Sequence, residues 1–410
     1  MRARVGVHLT LAAIVSGMAT YVVLLLAAHQ LTLAQNATFL VFWGAMSFGF
    51  GVFTSIQSDA TRAAALWAQR ASSGEQIRST PRLATMLWTL GLVVTLGAVL
   101  TSPTWSGRLF LDSATSLAVI AAIGQFGAST SAAYNAVLVG HGRNSLFALV
   151  ILLDGLIRLA AVATVVVLDG SLVAVAIACM IPSFTWLVPY SLVPASRREL
   201  CRTRADRGTR GTLSAWAQTV LASVCISAII VGFPVLARVS STEQEFGRAA
   251  PLLLAIALVR GPLLLPLGAM QTVIIGHVAK SHGRAWNVPA RWILSGTVAA
   301  AAAIAFAAVA GPPLLRLAHR DYIVQGEAFA GIAAGASLLA VFTLASTIVL
   351  GQGRHTRYLV GWIVALAAVC AVLASPLPFE PRVVASLVAG PLVGMTVHGV
   401  ALVSERLQAR

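Results

Sequence analysis

Charged residues are scarce in this chain of 410 residues. They make up 10% of the sequence, whereas a soluble globular domain carries about 25%, and this deficit excludes a soluble domain. Acidic residues are the scarcer kind, with 13 Asp and Glu against 28 Lys and Arg, and only Lys280 is a lysine. A strongly basic chain often binds nucleic acid, but the basic loops of a membrane protein account for the charge here. We therefore expect no nucleic-acid partner.

Signatures of metal sites, disulfides and catalysis are also missing. The four cysteines include no CxxC pair, and they lie at Cys179, Cys201, Cys225 and Cys370. They indicate neither a metal cage nor a disulfide framework, and we expect small apolar packing residues. The chain has no Gly-x-x-x-x-Gly-Lys-Ser/Thr phosphate loop, which excludes ATP hydrolysis by this motif. Without a catalytic triad or carboxylate pair, we expect no enzyme and no cofactor or metal.

Long apolar runs make up most of the sequence. Apolar residues make up 58% of the sequence and the mean hydropathy is +0.87, which suits membrane helices of about 20 residues. We predict an all-α polytopic membrane protein with about twelve transmembrane helices. The predicted spans are 9–28, 36–57, 83–101, 114–139, 145–167, 171–193, 213–235, 250–275, 292–310, 328–350, 358–375 and 383–403.

The basic residues predict the orientation of these spans. With the N-terminus inside, twenty basic residues fall in inner connections and six in outer ones, as the positive-inside rule requires. We expect both termini to be cytoplasmic in a bacterial plasma membrane. Six arginines cluster between residues 197 and 210. We interpret them first as a determinant of topology and second as a site of attraction to anionic membrane lipids. This stretch predicts a basic linker, 196–211, between six-helix bundles at 1–195 and 212–410.

An internal repeat supports two halves. Gly140-His-Gly142-Arg143 ends the fourth span, and Gly351-Gln-Gly353-Arg354 ends the tenth, 211 residues later. Gln57 and Gln271 end the second and eighth spans at a similar offset. With six spans per half, the repeats are parallel and related by a pseudo-two-fold axis along the membrane normal. We interpret the four glycines as tight turns between antiparallel helices.

Three charged residues fall near the bilayer midplane. Asp154 and Arg158 are four residues apart on the fifth span, so they share a helix face. They form either an internal ion pair or part of a cavity wall that a substrate phosphate could open. Arg260 in the eighth span has no acidic residue within four positions, and Pro262 and Pro266 follow it in a bent helix. We expect Arg260 to contact an anion or to pair with another helix, for instance through Asp154.

Short sequence segments resemble a known family. The first are Phe39-Leu-Val-Phe-Trp43, Gly49-Phe-Gly51 and Ser55-Ile-Gln57-Ser-Asp-Ala-Thr-Arg62. The others are Val259-Arg260-Gly-Pro262, the following Ala269-Met-Gln271-Thr, and the two Gly-x-Gly-Arg turns. Together they resemble actinobacterial members of the polysaccharide flippase branch of the multidrug/oligosaccharidyl-lipid/polysaccharide (MOP) exporter superfamily.

This resemblance implies alternating access around a central cavity, with cationic residues holding the pyrophosphate of a polyprenyl-linked anionic glycan. Arg260 is the leading phosphate contact that it implies, and Gln57 and Gln271 are further cavity candidates. An ion gradient, of H⁺ or Na⁺, or the membrane potential would drive the export. Two alternatives stay open: a multidrug or metabolite antiporter of the same superfamily, and a twelve-helix major-facilitator transporter. Residues 58–62 lack the glycine frame typical of the major-facilitator signature.

Overall fold

The computed structural model describes residues 2–73, 80–261, 290–352 and 354–408, and in these ranges the protein is almost entirely helical. The side chains of residues 2–7, 290–300, 351 and 400–408 lie outside this description. Four positions with predicted roles lie outside the described residues, namely Pro262, Pro266, Gln271 and Gly353. The helices are α1 Arg2–Gln30, α2 Leu33–Ser72, α3 Leu83–Phe110, α4 Ala114–Gly140, α5 Asn144–Val167, α6 Leu172–Met180, α7 Leu187–Leu192, α8 Pro194–Arg202, α9 Thr209–Ile230, α10 Phe233–Val239, α11 Glu243–Gly247, α12 Ala250–Gly261, α13 Ala290–Ala318, α14 Gly326–Gly351, α15 His355–Leu373 and α16 Phe379–Gln408.

These helices agree with the predicted spans. In the described ranges, nine helical segments are long and apolar enough to cross a membrane, and one of them, Leu83–Gly140, contains both α3 and α4. Two shorter apolar segments, Leu172–Phe184 and Ala250–Gly261, lie where the sixth and eighth spans are predicted. The chain is therefore a multi-pass helical membrane protein.

Local sequence explains where several helices begin and break. Thr32 caps α2 with a capping box, in which its Oγ1 accepts from Gln35 N and Gln35 Oε1 accepts from Thr32 N. Helix α2 then continues to Ser72, well beyond its predicted end, so Asp59 and Arg62 lie on the same helix. The sixth span is broken, because Pro182 lacks an N–H donor and a 3₁₀ turn at Ile181–Phe184 follows α6.

The helices pack into two compact units, Met1–Val235 and Leu236–Arg410. Within the first unit, α4 packs against α2 and α3, and α1 packs against α5. Helix α9 packs against α2 in the same unit, where Ser223 Oγ donates to Gly51 O. Within the second unit, α16 packs against α14 and α15. The predicted bundle boundaries at 195 and 212 describe the repeat, and they stay a prediction.

Equivalent turns lie at the two repeated glycine segments. Arg143 precedes α5 with φ −83° and ψ 49°, and Arg354 precedes α15 with φ −90° and ψ 60°. Arg143 N donates to Leu138 O and Arg354 N donates to Val349 O, so the two bonds are 211 residues apart at both ends. Gly142 adopts φ 74°, a left-handed conformation that favours glycine.

Close packing explains the other glycine of the first turn. A Cβ atom added at Gly140 would lie 2.5 Å from the Cβ of Ala64 on α2. A glycine here allows the end of α4 to approach α2 closely. The Gly-x-Gly segment thus combines a close helix contact with a tight turn.

Candidate functional site

The first unit contains a cavity of about 290 Å³, close to the lower limit of about 300 Å³ for pockets that bind small molecules. Helices α2, α4 and α5 form its walls together with the 3₁₀ turn after α6. It is lined by Phe50, Phe53, Thr54, Gln57, Ala128, Ser131, Ala132, Asn135, Phe147, Val150, Ile151, Asp154, Arg158 and Pro182. Aromatic rings, amides and hydroxyls thus surround one charged pair.

A smaller cavity of about 190 Å³ lies beside the first. Trp43, Met46, Ser47 and Phe50 from α2 line it, together with Arg158 and Cys179. Arg158 and Phe50 line both cavities. The guanidinium of Arg158 therefore forms part of the boundary between two neighbouring spaces.

The charged pair in the wall is well defined. Arg158 Nη2 donates to Asp154 Oδ2 over 2.7 Å, and the side chains are 12% and 27% exposed, respectively. The Arg158 guanidinium also lies 5.4 Å from the ring centroid of Trp43, in cation–π contact. An isolated charge at mid-bilayer costs roughly 2.5–3.5 kcal/mol on insertion scales, and the pairing reduces this cost.

Arg158 retains hydrogen-bonding capacity beyond this pair. A guanidinium carries five N–H donors, and Nη2 uses one of them on Asp154. The buried Nε has no hydrogen-bond partner among the described residues. A buried donor of this kind favours a ligand with an acceptor oxygen, because burial without a hydrogen bond is costly.

Amide side chains of α4 form hydrogen bonds to neighbouring groups, and one amide oxygen in the cavity wall has no partner. Gln125 Nε2 donates to Ala45 O and Met46 O, which links α4 to α2. Asn135 Nδ2 donates to Ser131 Oγ, one turn earlier on α4. The Oδ1 atom of Asn135 is buried without a hydrogen-bond partner among the described residues. The α4 wall therefore offers hydrogen-bonding groups to a polar ligand.

The structure brings three of the predicted site residues together. Gln57, Asp154 and Arg158 all line the larger cavity, although they come from α2 and α5. Arg260 is 4% exposed in α12 of the second unit, and its role as a phosphate contact stays a prediction. The role predicted for Gln271 likewise stays a prediction.

Sequence reasoning missed several lining residues. The sequence marks Trp43 only through the family resemblance, and nothing in it distinguishes Ser131 or Phe147 from their neighbours. The sequence does contain a signal for one wall, because Ser47, Thr54 and Gln57 recur at spacings of seven and three on α2. Such spacing places them on one helix face. The contribution of Phe147 depends on packing between helices, which the sequence does not display.

The cysteines do not behave alike. Cys179 and Cys225 are buried, as small packing residues would be, whereas Cys201 and Cys370 are exposed, so the packing prediction was wrong for these two. In the ranges that the structure covers, no group of three or more His, Cys, Asp or Glu side chains is placed to hold a metal ion.

Comparison with solved structures identifies the fold. An inward-facing multidrug resistance MATE family transporter of the MOP superfamily matches with a TM-score of 0.73 at 14% identity, over 95% of this chain and 96% of that chain. An outward-facing MATE structure matches with a TM-score of 0.63 at 18% identity, over 98% and 95%. A MOP superfamily transporter from Pyrococcus furiosus, described as having a binding pocket of reverse polarity, matches with a TM-score of 0.62 at 16% identity, over 97% and 95%. The chain therefore has the two-half MATE fold rather than the major-facilitator fold.

Sequence comparison identifies relatives over nearly the whole length. No family model matches. The uncharacterized protein Rv3630 of Mycobacterium tuberculosis is 32% identical over 405 residues, which are 98% of this chain and 91% of the relative. The uncharacterized protein Rv1510 of the same organism is 31% identical over 409 residues, with the same coverage. The chain therefore belongs to the family of Rv3630 and Rv1510, with the fold of MOP-superfamily transporters.

Proposed function

We propose that this protein exports a lipid-linked anionic oligosaccharide, such as a polyprenyl-linked polysaccharide precursor, across the plasma membrane by alternating access. The observation that carries the proposal is Arg158, a nearly buried guanidinium in the wall of two cavities. Arginine suits the recognition of phosphate, because its planar donors match phosphate oxygens in pairs. The phosphate of the substrate would compete with Asp154 for this guanidinium.

The rest of the larger cavity suits a sugar. Phe50, Phe53 and Phe147 offer apolar ring faces, and Gln57 and Asn135 offer amides for hydroxyl groups. Pockets of this kind use a few placed polar groups for orientation and apolar walls for contact area. At about 290 Å³, the cavity would take part of a glycan rather than a long chain.

The charge of such a substrate provides a driving force. An anion moving outward is favoured by an inside-negative potential, by about 2.3 kcal/mol per charge per 100 mV. This proposal therefore needs no acidic ion-binding residue, although H⁺ or Na⁺ coupling at Asp154 is compatible with it. A cation bound at Asp154 would weaken its hold on Arg158.

Pocket polarity differs among transporters of this fold, as the description of the Pyrococcus furiosus protein states for its own pocket. Export of a cationic drug or metabolite is accordingly a second candidate, and the greater exposure of Asp154 than of Arg158 favours it. The ion pair counts against it, because Arg158 already neutralises the carboxylate and occupies the face of Trp43. The two candidates predict opposite effects of removing the arginine.

A reconstituted system tests the proposal. The purified protein in liposomes is given a fluorescent polyprenyl-pyrophosphate sugar, and translocation is followed by protection from a membrane-impermeant quencher. We expect transport by the wild type, a loss of about tenfold in Arg158→Gln, which removes a charge-assisted contact, and partial activity in Arg158→Lys. Arg108→Gln, at an exposed position on α3, is the matched control. Two outcomes would favour the second candidate. One is the absence of sugar translocation by the wild type. The other is full sugar transport by Arg158→Gln together with faster efflux of a cationic dye.

A further inference from the structure

Helix α8 is an amphipathic helix at one end of the first unit. Its buried face carries Ser196 and Leu200, and its exposed face carries Arg197, Arg198 and Arg202. We call these three residues the α8 arginine patch. Helix α8 is too polar to enter the hydrocarbon core, and it joins the sixth span to α9, so it lies at the membrane surface.

The buried face of α8 is held firmly against the unit. Tyr134 Oη on α4 donates to Ser196 Oγ over 2.9 Å. Arg143, at the start of α5, donates to both carboxylate oxygens of Glu199 over 2.6 Å. The orientation of α8, and hence the outward direction of its arginines, is therefore fixed by the fold.

The chain after α8 is fixed as well. Leu83 N donates to Thr203 O over 3.1 Å, and Ala205 N donates to Pro81 O over 2.9 Å. These bonds accompany an isolated antiparallel bridge between Arg82 and Arg204. The segment from α8 to α9 is therefore held by backbone hydrogen bonds at the start of α3 and does not extend into solvent.

The acidic residues of this segment do not neutralise the patch. Both of them pair with arginines outside the patch, since Glu199 pairs with Arg143 and Asp206 accepts from Arg62 Nη1 over 3.0 Å. Within the described ranges, none of the three patch arginines forms a salt bridge. Two more exposed arginines follow, Arg207, which lies 3.6 Å from Asp206, and Arg210. The two acids of this segment thus pair with arginines other than Arg197, Arg198 and Arg202.

Exposed apolar residues flank the patch. Leu192, two residues before α8, is 74% exposed, and Leu213, on the first turns of α9, is 46% exposed. In a membrane protein, exposed leucines on spanning segments contact acyl chains. Arginines between two such leucines lie at the level of the lipid headgroups.

We propose that the α8 arginine patch binds anionic phospholipid headgroups, with acyl chains lying along Leu192 and Leu213. The phosphate and the negative charge match the exposed guanidinium groups, and the apolar neighbours match the chains. The bound lipid anchors α8, and with it this end of the first unit, to one leaflet. This role concerns the membrane surface and does not depend on what the cavity transports.

Cys201 provides a reporter inside the patch, because it is exposed on α8 between Arg198 and Arg202. In a Cys370→Ala background, which removes the other exposed cysteine, Cys201 is labelled with bimane. The protein is placed in vesicles containing brominated phosphatidylglycerol or brominated phosphatidylcholine. We expect stronger quenching by phosphatidylglycerol, which decreases at high salt because screening weakens the attraction.

Single substitutions give the decisive comparison. Arg198→Gln is expected to lower the preference for phosphatidylglycerol by about fivefold, and the triple change of the patch to glutamine is expected to abolish it. Arg108→Gln removes one exposed arginine at the opposite end of α3 and is expected to have no effect. Phosphatidylglycerol that co-purifies with the unlabelled protein, counted by mass spectrometry, provides a label-free check. Equal quenching by the two lipids, or an unchanged preference in Arg198→Gln, would overturn the proposal.

Discussion

Helices α5 and α15 follow the same kind of turn in the two units, but they carry different residues. At the repeat offset of 211, Asp154 and Arg158 of α5 correspond to Ala365 and Val369 of α15. The first two form an ion pair in a cavity wall, whereas the second two are 0% and 1% exposed in the packing of the second unit. The two units thus share the turn, but the helix that follows it carries different residues.

Neighbouring positions show the same contrast between a cavity wall in the first unit and a packed core in the second. Ser131 and Ile151 line the cavity of the first unit, and their counterparts at the same offset are Phe342 and Trp362. The rings of Phe342 and Trp362 lie 4.4 Å apart, and both are buried. One unit thus leaves a cavity where the other places large aromatic side chains. This contrast supports the proposal that the ligand binds in the first unit.

Giving the first unit the residues of the second is expected to have the largest effect. Ser131→Phe with Ile151→Trp fills the volume that a ligand would enter, so transport of the lipid-linked sugar is expected to decrease by about tenfold or more. The reconstituted translocation assay measures it. Val93→Phe, which adds volume at an exposed position of α3, is the control. Normal transport by the filled variant would show that this cavity is not on the substrate path.

Variants of the Asp154–Arg158 ion pair distinguish its contribution to stability from its contribution to transport. Asp154→Asn or Arg158→Gln alone leaves a charge without its partner and is expected to destabilise the protein by about 3 kcal/mol, near the lower limit for buried pairs because Asp154 is partly exposed. Asp154→Ala with Arg158→Val, the residues of α15, is expected to restore stability to within about 1 kcal/mol while transport stays lost. Thermal unfolding in detergent and the translocation assay measure the two properties. If the double variant transports normally, the pair has only a structural role.

A reciprocal change tests the packed unit. Phe342→Ala removes a fully buried ring in contact with Trp362 and His398, and it is expected to cost about 3 kcal/mol through the cavity it leaves. Phe147→Ala only enlarges a space that already exists in the first unit, so its cost is expected to be below about 1.5 kcal/mol. Thermal unfolding of the two variants makes the comparison. Equal losses would contradict the distinction between a cavity wall and a packed core.

The sequence predicted the spans and the turns because hydropathy and glycine spacing are local properties. It placed Asp154 and Arg158 on one helix face, since residues four apart are neighbours in any helix. It named both Gln57 and Arg158 as cavity candidates, but it did not place Trp43 against the Arg158 guanidinium, because this contact joins α2 to α5. Cavity volume depends on how several helices pack, and a deficit of large side chains at Ser131 and Ile151 becomes visible only beside Phe342 and Trp362.

The turns differ at one titratable position, and this difference is expected to give the smallest effect. His141 in the first turn corresponds to Gln352 in the second. Burial lowers the pKa of His141, while Glu199 opposes this shift and Arg143 adds to it. The ring lies 5.6 Å from that of Trp67, and its Nε2 lies 3.0 Å from Thr203 Oγ1. Because its folded-state pKa is below its unfolded-state pKa, the unfolded state binds more protons as pH falls through that range, and acid destabilises the fold.

Replacing His141 with the residue of the second turn removes this proton linkage. The His141→Gln variant is expected to lose less thermal stability than the wild type between about pH 7.5 and about pH 5.5. Unfolding temperatures at the two pH values measure the difference, and His29→Gln at the end of α1 controls for the loss of a histidine elsewhere. An unchanged acid sensitivity in His141→Gln would show that proton binding by His141 does not contribute to the acid response of the fold. A flatter profile would show that the first turn, at the end of the unit where α8 is fixed, responds to acid in a way that the second cannot.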